Sequence, residues 1–424
     1  MNRFFRSLHG IVVNSVDRKR RGYSPCLLTP VVIVLLCLFF TACTHFRQDA
    51  TVGDVNAEPM ERIKILTYNT LHGLEPSGLT VKPSESKEER QARLNLQFQQ
   101  LSAVQPDVLL LQEVNPLPEM AETYVAGLKS FGLQYAEVHQ VDACGVRLAP
   151  GLAVVPGLNN GLAVLAKAPL RLRKVKGLKL SGGIGGCSDF AGLQTGELRY
   201  ALIAEVENPG TGRKILAVSL HLHSGIERDA FFVQKINEAV EQGKVRREDF
   251  EGIILAMEQD QERRLGEIRV LVKEVQKLQA EGTYLGAIIG GDFNFEPDDP
   301  EYRELERAGL RDTYTIANSK DDVYSLDPQR NVIAEEGIRE VPSALRDAMK
   351  RLPESQQRKL LEGYQKGISQ ARRVDFLFLM KKPSESPTGC VRQELFGQPT
   401  AVSTGPGSDH FGVLVTYIAD SSKC

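Results

Sequence analysis

Six short polar motifs sit at the ends of apolar runs, and their side chains are the ones phosphate ester chemistry needs. Asn69 follows Ile65-Leu66-Thr67-Tyr68, and Gln112-Glu113 follows Val108-Leu109-Leu110-Leu111. His221 and His223 bracket Leu222, and Gly291-Asp292-Phe293-Asn294 follows another apolar run. Asp375 lies behind Arg372-Arg373, and Ser408-Asp409-His410 precedes Phe411-Gly412-Val413. Carboxylates are hard oxygen ligands for Mg²⁺, and a histidine paired with a carboxylate is a common proton-handling unit. Taken singly, each motif has an ordinary explanation. A strand-end Asn is usually a turn residue, a Glu after an apolar run is usually solvated, and Asp-Phe-Asn can be an Asx turn. Together, in this order and each tied to an apolar run, they describe a site assembled at strand ends.

The elements that must hold these residues are legible in the hydrophobic pattern. Runs at 63–68, 108–111, 161–166, 200–206, 215–222, 287–291, 374–380 and 411–417 predict strands. The run at 108–111 is continuous, as expected of a strand buried on both faces. Leu94, Phe98, Leu101 and Val104 recur at helical spacing up to Pro106, and Leu265, Ile268, Val272, Val275 and Leu278 mark a long amphipathic helix. Several consecutive strands lack a helix between them, which predicts layered sheets with outer helices. Nothing between residues 61 and 419 resembles a linker, so one large domain is expected. Two stretches read as insertions: 225–251, with Phe231, Phe232, Ile236 and Val240 at helical spacing, and 317–372. Phe231 and Phe232 suit a buried helix face better than a lid. The Gly-rich segment 181–186 lacks the Lys-Ser/Thr ending of a phosphate-binding loop and reads as a flexible loop. Ser408 is not in a Gly-x-Ser-x-Gly setting, which disfavours a serine hydrolase.

The six motifs resemble those of the endonuclease/exonuclease/phosphatase superfamily over residues 62–417. The resemblance implies an α/β four-layered sandwich: two facing β-sheets flanked by helices, with the site at one rim. It implies that Asn69, Glu113 and Asp409 serve a Mg²⁺ ion (Mn²⁺ is an alternative). It assigns catalysis to His221, Asp292, Asn294, Asp375 and His410, with Asp375 fixing the His410 tautomer. Asn160 and His223 are expected to contact substrate, and His72 to be structural or at the rim. Which histidine is acid and which is base stays open. The Ser408–Val413 stretch and residues 324–331 look more like the neutral sphingomyelinases of that superfamily than its abasic-site endonucleases. The expected reaction is therefore phosphodiester hydrolysis, with a lipid head group favoured over nucleic acid. An exported nuclease is the alternative, and a non-catalytic envelope lipoprotein is third.

Composition narrows the setting. The chain has 424 residues, 42% hydrophobic and 25% charged, as in ordinary folded proteins. Its net charge of -2 divides unevenly, with residues 1–42 at +5 and the remainder near -7. An acidic body supplies no general field for holding nucleic acid, though a local groove is not excluded. Residues 1–42 carry a basic start, a ten-residue apolar run and a small-residue site, as a signal peptide does. Phe40-Thr41-Ala42-Cys43 resembles a bacterial lipobox with Phe in place of the usual Leu. Lipidation of Cys43, a tether over 43–60, and a monomer anchored in the bacterial cell envelope are expected. The catalytic domain then spans 61–424. Cys144, Cys187, Cys390 and Cys424 remain for it. Three pairings are possible, of which Cys144–Cys187 with Cys390–Cys424 is favoured.

Overall fold

A computed structural model describes residues 62–418, apart from 78–79, 145, 150–151, 154–157, 188–191, 226–229, 243–245, 319–322, 338–349, 351–352, 382–389 and 400–404. The expected signal peptide, the tether, Cys43 and Cys424 lie outside the described residues. So do the side chains of Phe231 and Phe232.

The first half of the fold builds one sheet. Strand β1 (Arg62–Asn69) leads into a small hairpin, β2 (Leu74–Ser77) and β3 (Thr80–Pro83), then helix α1 (Lys87–Val104). Ser86 starts α1 with a capping box: its hydroxyl accepts the Glu89 amide while the Glu89 carboxylate accepts the Ser86 amide. Strand β4 (Val108–Gln112), helix α2 (Glu119–Ser130), β5 (Tyr135–Ala143), the short β6 (Val146–Ala149) and β7 (Leu152–Ala153), and β8 (Asn160–Lys167) follow. Two long strands, β9 (Arg171–Cys187) and β10 (Gly192–Asn208), pair as a hairpin before β11 (Arg213–His221).

Helices α3 (Ala230–Glu241) and α4 (Glu248–Glu281) precede β12 (Tyr284–Asp292). Then come α5 (Pro300–Arg307), β13 (Leu310–Asp312), α6 (Thr313–Ala317), α7 (Val332–Gly337) and α8 (Glu354–Ile368). Strands β14 (Asp375–Lys381), β15 (Cys390–Phe396) and β16 (Gly412–Ile418) end the described chain.

One sheet runs β15-β16-β1-β4-β8-β5, and the other β13-β14-β12-β11-β10-β6-β7 with β9 also on β10. The burial pattern shows why they stack. Leu109 and Leu111 of β4 pack with Leu94, Phe98 and Leu101 of α1 and Tyr124 of α2. Val108 and Leu110 point the other way, against Leu202, Ala217, Ile288 and Leu377 of the second sheet. On that sheet's outer face, Leu216, Val218 and Ile289 meet Ile268, Leu271 and Val275 of α4. Three cores between four layers follow from strands apolar on both faces.

Two expectations need correction or refinement. The segment 181–186 is not a loop but part of β9, paired with β10 across several register shifts. Its glycines permit this. Gly182 and Gly185 both take φ 109, a conformation side chains rarely adopt, so the strand can bend and stay paired. The Cys144–Cys187 bridge closes across 43 residues, as favoured. Cys390 is also disulfide-bonded.

Candidate active site

The register of the strands brings the motifs to one rim. In the first sheet β1 and β4 run parallel with Asn69 opposite Gln112. In the second, β11 and β12 run parallel with His221 opposite Asp292, and antiparallel β14 sets Asp375 opposite Asp292. Gly291 has no room for a side chain, because an added Cβ would collide with the Leu220 carbonyl. Gln112 ties the two sheets just below the rim: its amide donates to Ser219 Oγ at 3.0 Å, and that hydroxyl donates to Leu111 O at 2.9 Å.

Asn69 joins the two acidic halves. Its Nδ2 donates to Glu113 Oε1 at 3.1 Å and to Asp292 Oδ2 at 3.2 Å. Glu113 sits at φ 57 directly after β4, and its Oε2 accepts the His72 amide at 2.9 Å. Burial pushes the Glu113 carboxyl up, but the His72 and His221 rings, the His72 amide and Asn69 outweigh burial and bring it down to about 2. Asp292 behaves oppositely. Burial, then the neighbouring Asp375, push it up to about 7 against the pull of His410. Its Oδ1 accepts the amide of Asn294, which sits at φ 52 and itself donates from Nδ2 to Leu222 O at 3.1 Å.

Two histidines flank Asp292 Oδ2, His221 Nε2 at 3.5 Å and His410 Nε2 at 3.8 Å. His410 Nδ1 lies 2.7 Å from Asp375 Oδ2, so the expected His–Asp pair is present. Burial opposes the His410 cation, yet Asp375, Asp292 and Asp409 together raise its pKa well above the ordinary value. His221 goes the other way: burial, then Arg199, lower it to about 3. Asp409 accepts from Ser408 Oγ at 3.0 Å, and burial raises its carboxyl above the usual range.

Asn160 opens β8, and its buried Oδ1 has no partner. The same holds for His221 Nδ1, Asp375 Oδ1 and Arg199 Nε. Buried polar atoms are seldom left unpaired without a reason, and two of these orphans belong to His221 and Asp375 beside Asp292. His223, expected to contact substrate, has both ring nitrogens paired with carboxylates away from Asp292. Nδ1 lies 2.6 Å from Glu197 Oε2 and Nε2 lies 2.7 Å from Asp260 Oδ1, while its amide donates to Glu267. β11 ends at His221, so the strand geometry that sets His221 opposite Asp292 no longer governs His223, which meets Glu197 of β10 and Asp260 and Glu267 of α4.

Several supporting residues carry no motif of their own. Ser325 Oγ accepts the amides of Val374 and Asp375, and Ser325 O accepts that of Phe411. Asn331 Nδ2 donates to the carbonyls of Ser408 at 2.9 Å and Asp409 at 3.0 Å. Ser325 and Asn331 therefore brace the Asp375 and His410 segments. Asp142, at a register shift in β5, is buried and pushed up to about 7 by that burial despite Arg199, with Glu113 adding to the rise. Only the clustering of lone charges in strands could have flagged Asp142 and Arg199.

A divalent cation suits this donor set. The Glu113 carboxylate raises both Asp292 and Asp409, and a cation beside these three oxygen donors would relieve that repulsion. Asp292, Asp375 and His410 also offer ligand atoms within 4.8 Å of one another. Asp375 and His410 are, however, already paired with each other, so the oxygen ligands around Glu113 suit a hard ion better.

The chain was compared with known proteins. Truncated Caenorhabditis elegans TDP2 matches at a TM-score of 0.50 and 15% identity, over 84% of this chain and 98% of that one. An endonuclease/exonuclease/phosphatase from Bacteroides vulgatus matches at 0.48 and 15%, over 84% and 98%. A family protein from Leptotrichia buccalis matches at 0.47 and 16%, over 83% and 98%. No curated protein matches. The family model described as "Endonuclease/Exonuclease/phosphatase family" matches residues 66–410, and those limits enclose Asn69, Glu113, His221, Asp292, Asp375 and His410. The chain belongs to the endonuclease/exonuclease/phosphatase family, and its fold is that family's four-layered α/β sandwich.

Proposed function

We propose that this protein is a Mg²⁺-dependent phosphodiester hydrolase of the cell envelope, acting on a phospholipid head group. The carrying observation is the rim itself, where Asn69 bridges Glu113 to an Asp292 flanked by His221 and His410. Glu113, with Asn69 and Asp409, would hold the metal, which when bound would neutralise charge on the phosphoryl oxygens. Asp292, aimed by the Asn294 amide and by Asn69, orients the attacking water and takes its proton. His410, kept cationic by Asp375, contacts the anionic phosphate through Nε2. His221 is neutral and serves as a hydrogen-bond partner for a phosphoryl or leaving-group oxygen. Asn160, whose buried Oδ1 lacks a hydrogen-bond partner, is the further substrate contact in this reading.

The lipid reading is supported by the acidic body, the lipobox-like Cys43 segment and the brace. Exposed Tyr324 and Val332 flank the buried Ser325 and Asn331, placing apolar surface beside the segments that carry Asp375 and His410. A nuclease is the second reading, because a metal-assisted site can grip phosphate locally. The test measures choline-phosphate release from sphingomyelin and phosphatidylcholine vesicles beside plasmid nicking, each with Mg²⁺ and with EDTA. Head-group release abolished by EDTA is expected. Robust nicking without head-group release would remove the lipid reading, and inertness on both substrates and on bis(p-nitrophenyl) phosphate would remove the hydrolase reading.

A further inference from the structure

The segment joining β1 to β2 is held more firmly than a connection needs. Thr70 N donates to Gln112 O, Leu71 N to Asn69 Oδ1, His72 N to Glu113 Oε2 and Leu74 N to His72 Nδ1. From α1, Arg90 Nη2 reaches the carbonyls of His72 and Gly73, and Arg93 Nη1 reaches that of Thr70. Glu85 holds both arginines. Leu71 is kept at φ 62, left-handed backbone that a leucine adopts only when its surroundings impose it. Strain and reinforcement both converge on the placement of His72.

The Leu74 amide determines what that imidazole offers. Nδ1 accepts at 2.9 Å, so it carries no proton, and the ring's hydrogen resides on Nε2. Nε2 lies 3.7 Å from Glu113 Oε2, beyond hydrogen-bonding distance, and the side chain is 34% exposed. The ring thus presents an unspent N–H at the rim, beside the carboxylate assigned to the metal and across Asn69 from Asp292.

We propose that His72 is a substrate-contacting catalytic residue, donating its Nε2–H to an anionic oxygen of the phosphodiester. This rests on the hydrolase reading above. The alternative is that the ring only stiffens the loop by accepting from Leu74, and two substitutions separate these roles. In His72→Asn the side-chain oxygen can take the place of Nδ1 and keep the Leu74 bond, but the distal donor is gone. In His72→Gln an amide N–H reaches the place of Nε2 while the Leu74 acceptor is lost. The His72 backbone amide that holds Glu113 is present in both.

The experiment compares wild type, His72→Asn and His72→Gln as full chains. It reads kcat and KM on bis(p-nitrophenyl) phosphate with Mg²⁺, and inorganic phosphate affinity by calorimetry. His72→Asn should lose about 10- to 100-fold in kcat/KM, as for a hydrogen bond to a charged group. It should also bind phosphate several-fold more weakly, while His72→Gln stays within about fivefold of wild type in both. The reverse order, or no loss in His72→Asn beside an active wild type, overturns the role of His72 and leaves the hydrolase reading standing. A wild type that neither hydrolyses phosphodiesters nor binds phosphate overturns both.

Discussion

At the scale of single residues, function rests on opposed electrostatics in a small buried volume. His221 and His410 face the same Asp292 oxygen, yet burial and Arg199 depress one while three carboxylates raise the other. Two like side chains therefore take different charge states at neutral pH, which sequence alone left open. Asp292→Ala removes the carboxylate proposed to orient water, and His410→Ala removes the imidazole paired with Asp375. Each should reduce turnover about 10³-fold or more, judged from what positioned acid–base groups contribute. Steady-state kinetics on proteins whose thermal unfolding matches wild type would check this. Wild-type turnover in a folded His410→Ala protein would falsify the site assignment. The residue types of Asn69, Glu113, Asp292, Asp375 and His410 were legible because each ends or opens an apolar strand. Ser325 and Asn331 were not, since their work is done by hydrogen bonds to segments 49 to 78 positions away.

At the scale of elements, helix α4 organises the flank of the site. Asp260 and Glu267 engage His223, Arg263 reaches Glu197 on β10, and buried Arg264 pairs with Glu301 of α5 at 2.9 Å. The apolar stripe of α4 was readable from its spacing, but its charged face was not, because partners on β10 and after β11 meet it only in the fold. His223 gives this network a pH signature. Burial opposes its cation, but the hydrogen bonds it donates to Asp260 and Glu197 outweigh burial and raise its pKa above 6.5. Arg263 lessens the rise. A raised folded pKa contributes stability that is fully present below the unfolded value and is lost as pH climbs through the folded value. Urea unfolding from pH 5.5 to 9 should show wild type most advantaged over His223→Gln at the acid end, with the gap closing as pH rises. Parallel curves for the two proteins would remove His223 as the source. The Gly-rich stretch of β9 is the matching lesson for strands. Glycines suggested a loop, yet pairing to β10 along its length outweighed the low strand propensity of glycine.

At the scale of the whole molecule, the two sheets bring together carboxylates that repel one another, and a bound cation should stabilise the fold as well as the reaction. Because it binds the assembled site and not the unfolded chain, saturating Mg²⁺ at 100 times its Kd should add about 2.7 kcal/mol. Differential scanning calorimetry should show Tm rising with Mg²⁺, the rise reversed by EDTA and absent in Glu113→Gln. An equal rise in Glu113→Gln would place the metal elsewhere. The acidic body and the basic leader act at this scale too, since net charge bears on partners and location rather than on fold.

The sequence by itself determined the eight strands β1, β4, β8, β10, β11, β12, β14 and β16, the helices α1 and α4 and the motif residues that resemble the family's, because periodicity and the six motifs are local in the chain. Tertiary structure alone decided which neighbour each side chain meets. Strand register set His221 against Asp292, the end of β11 left His223 to Glu197 and α4, burial and neighbouring charges raised or lowered the site's titrating groups, and the distant Ser325 and Asn331 became the brace for the Asp375 and His410 segments. Those outcomes depend on distances between residues far apart in the chain, which only the packed sheets establish.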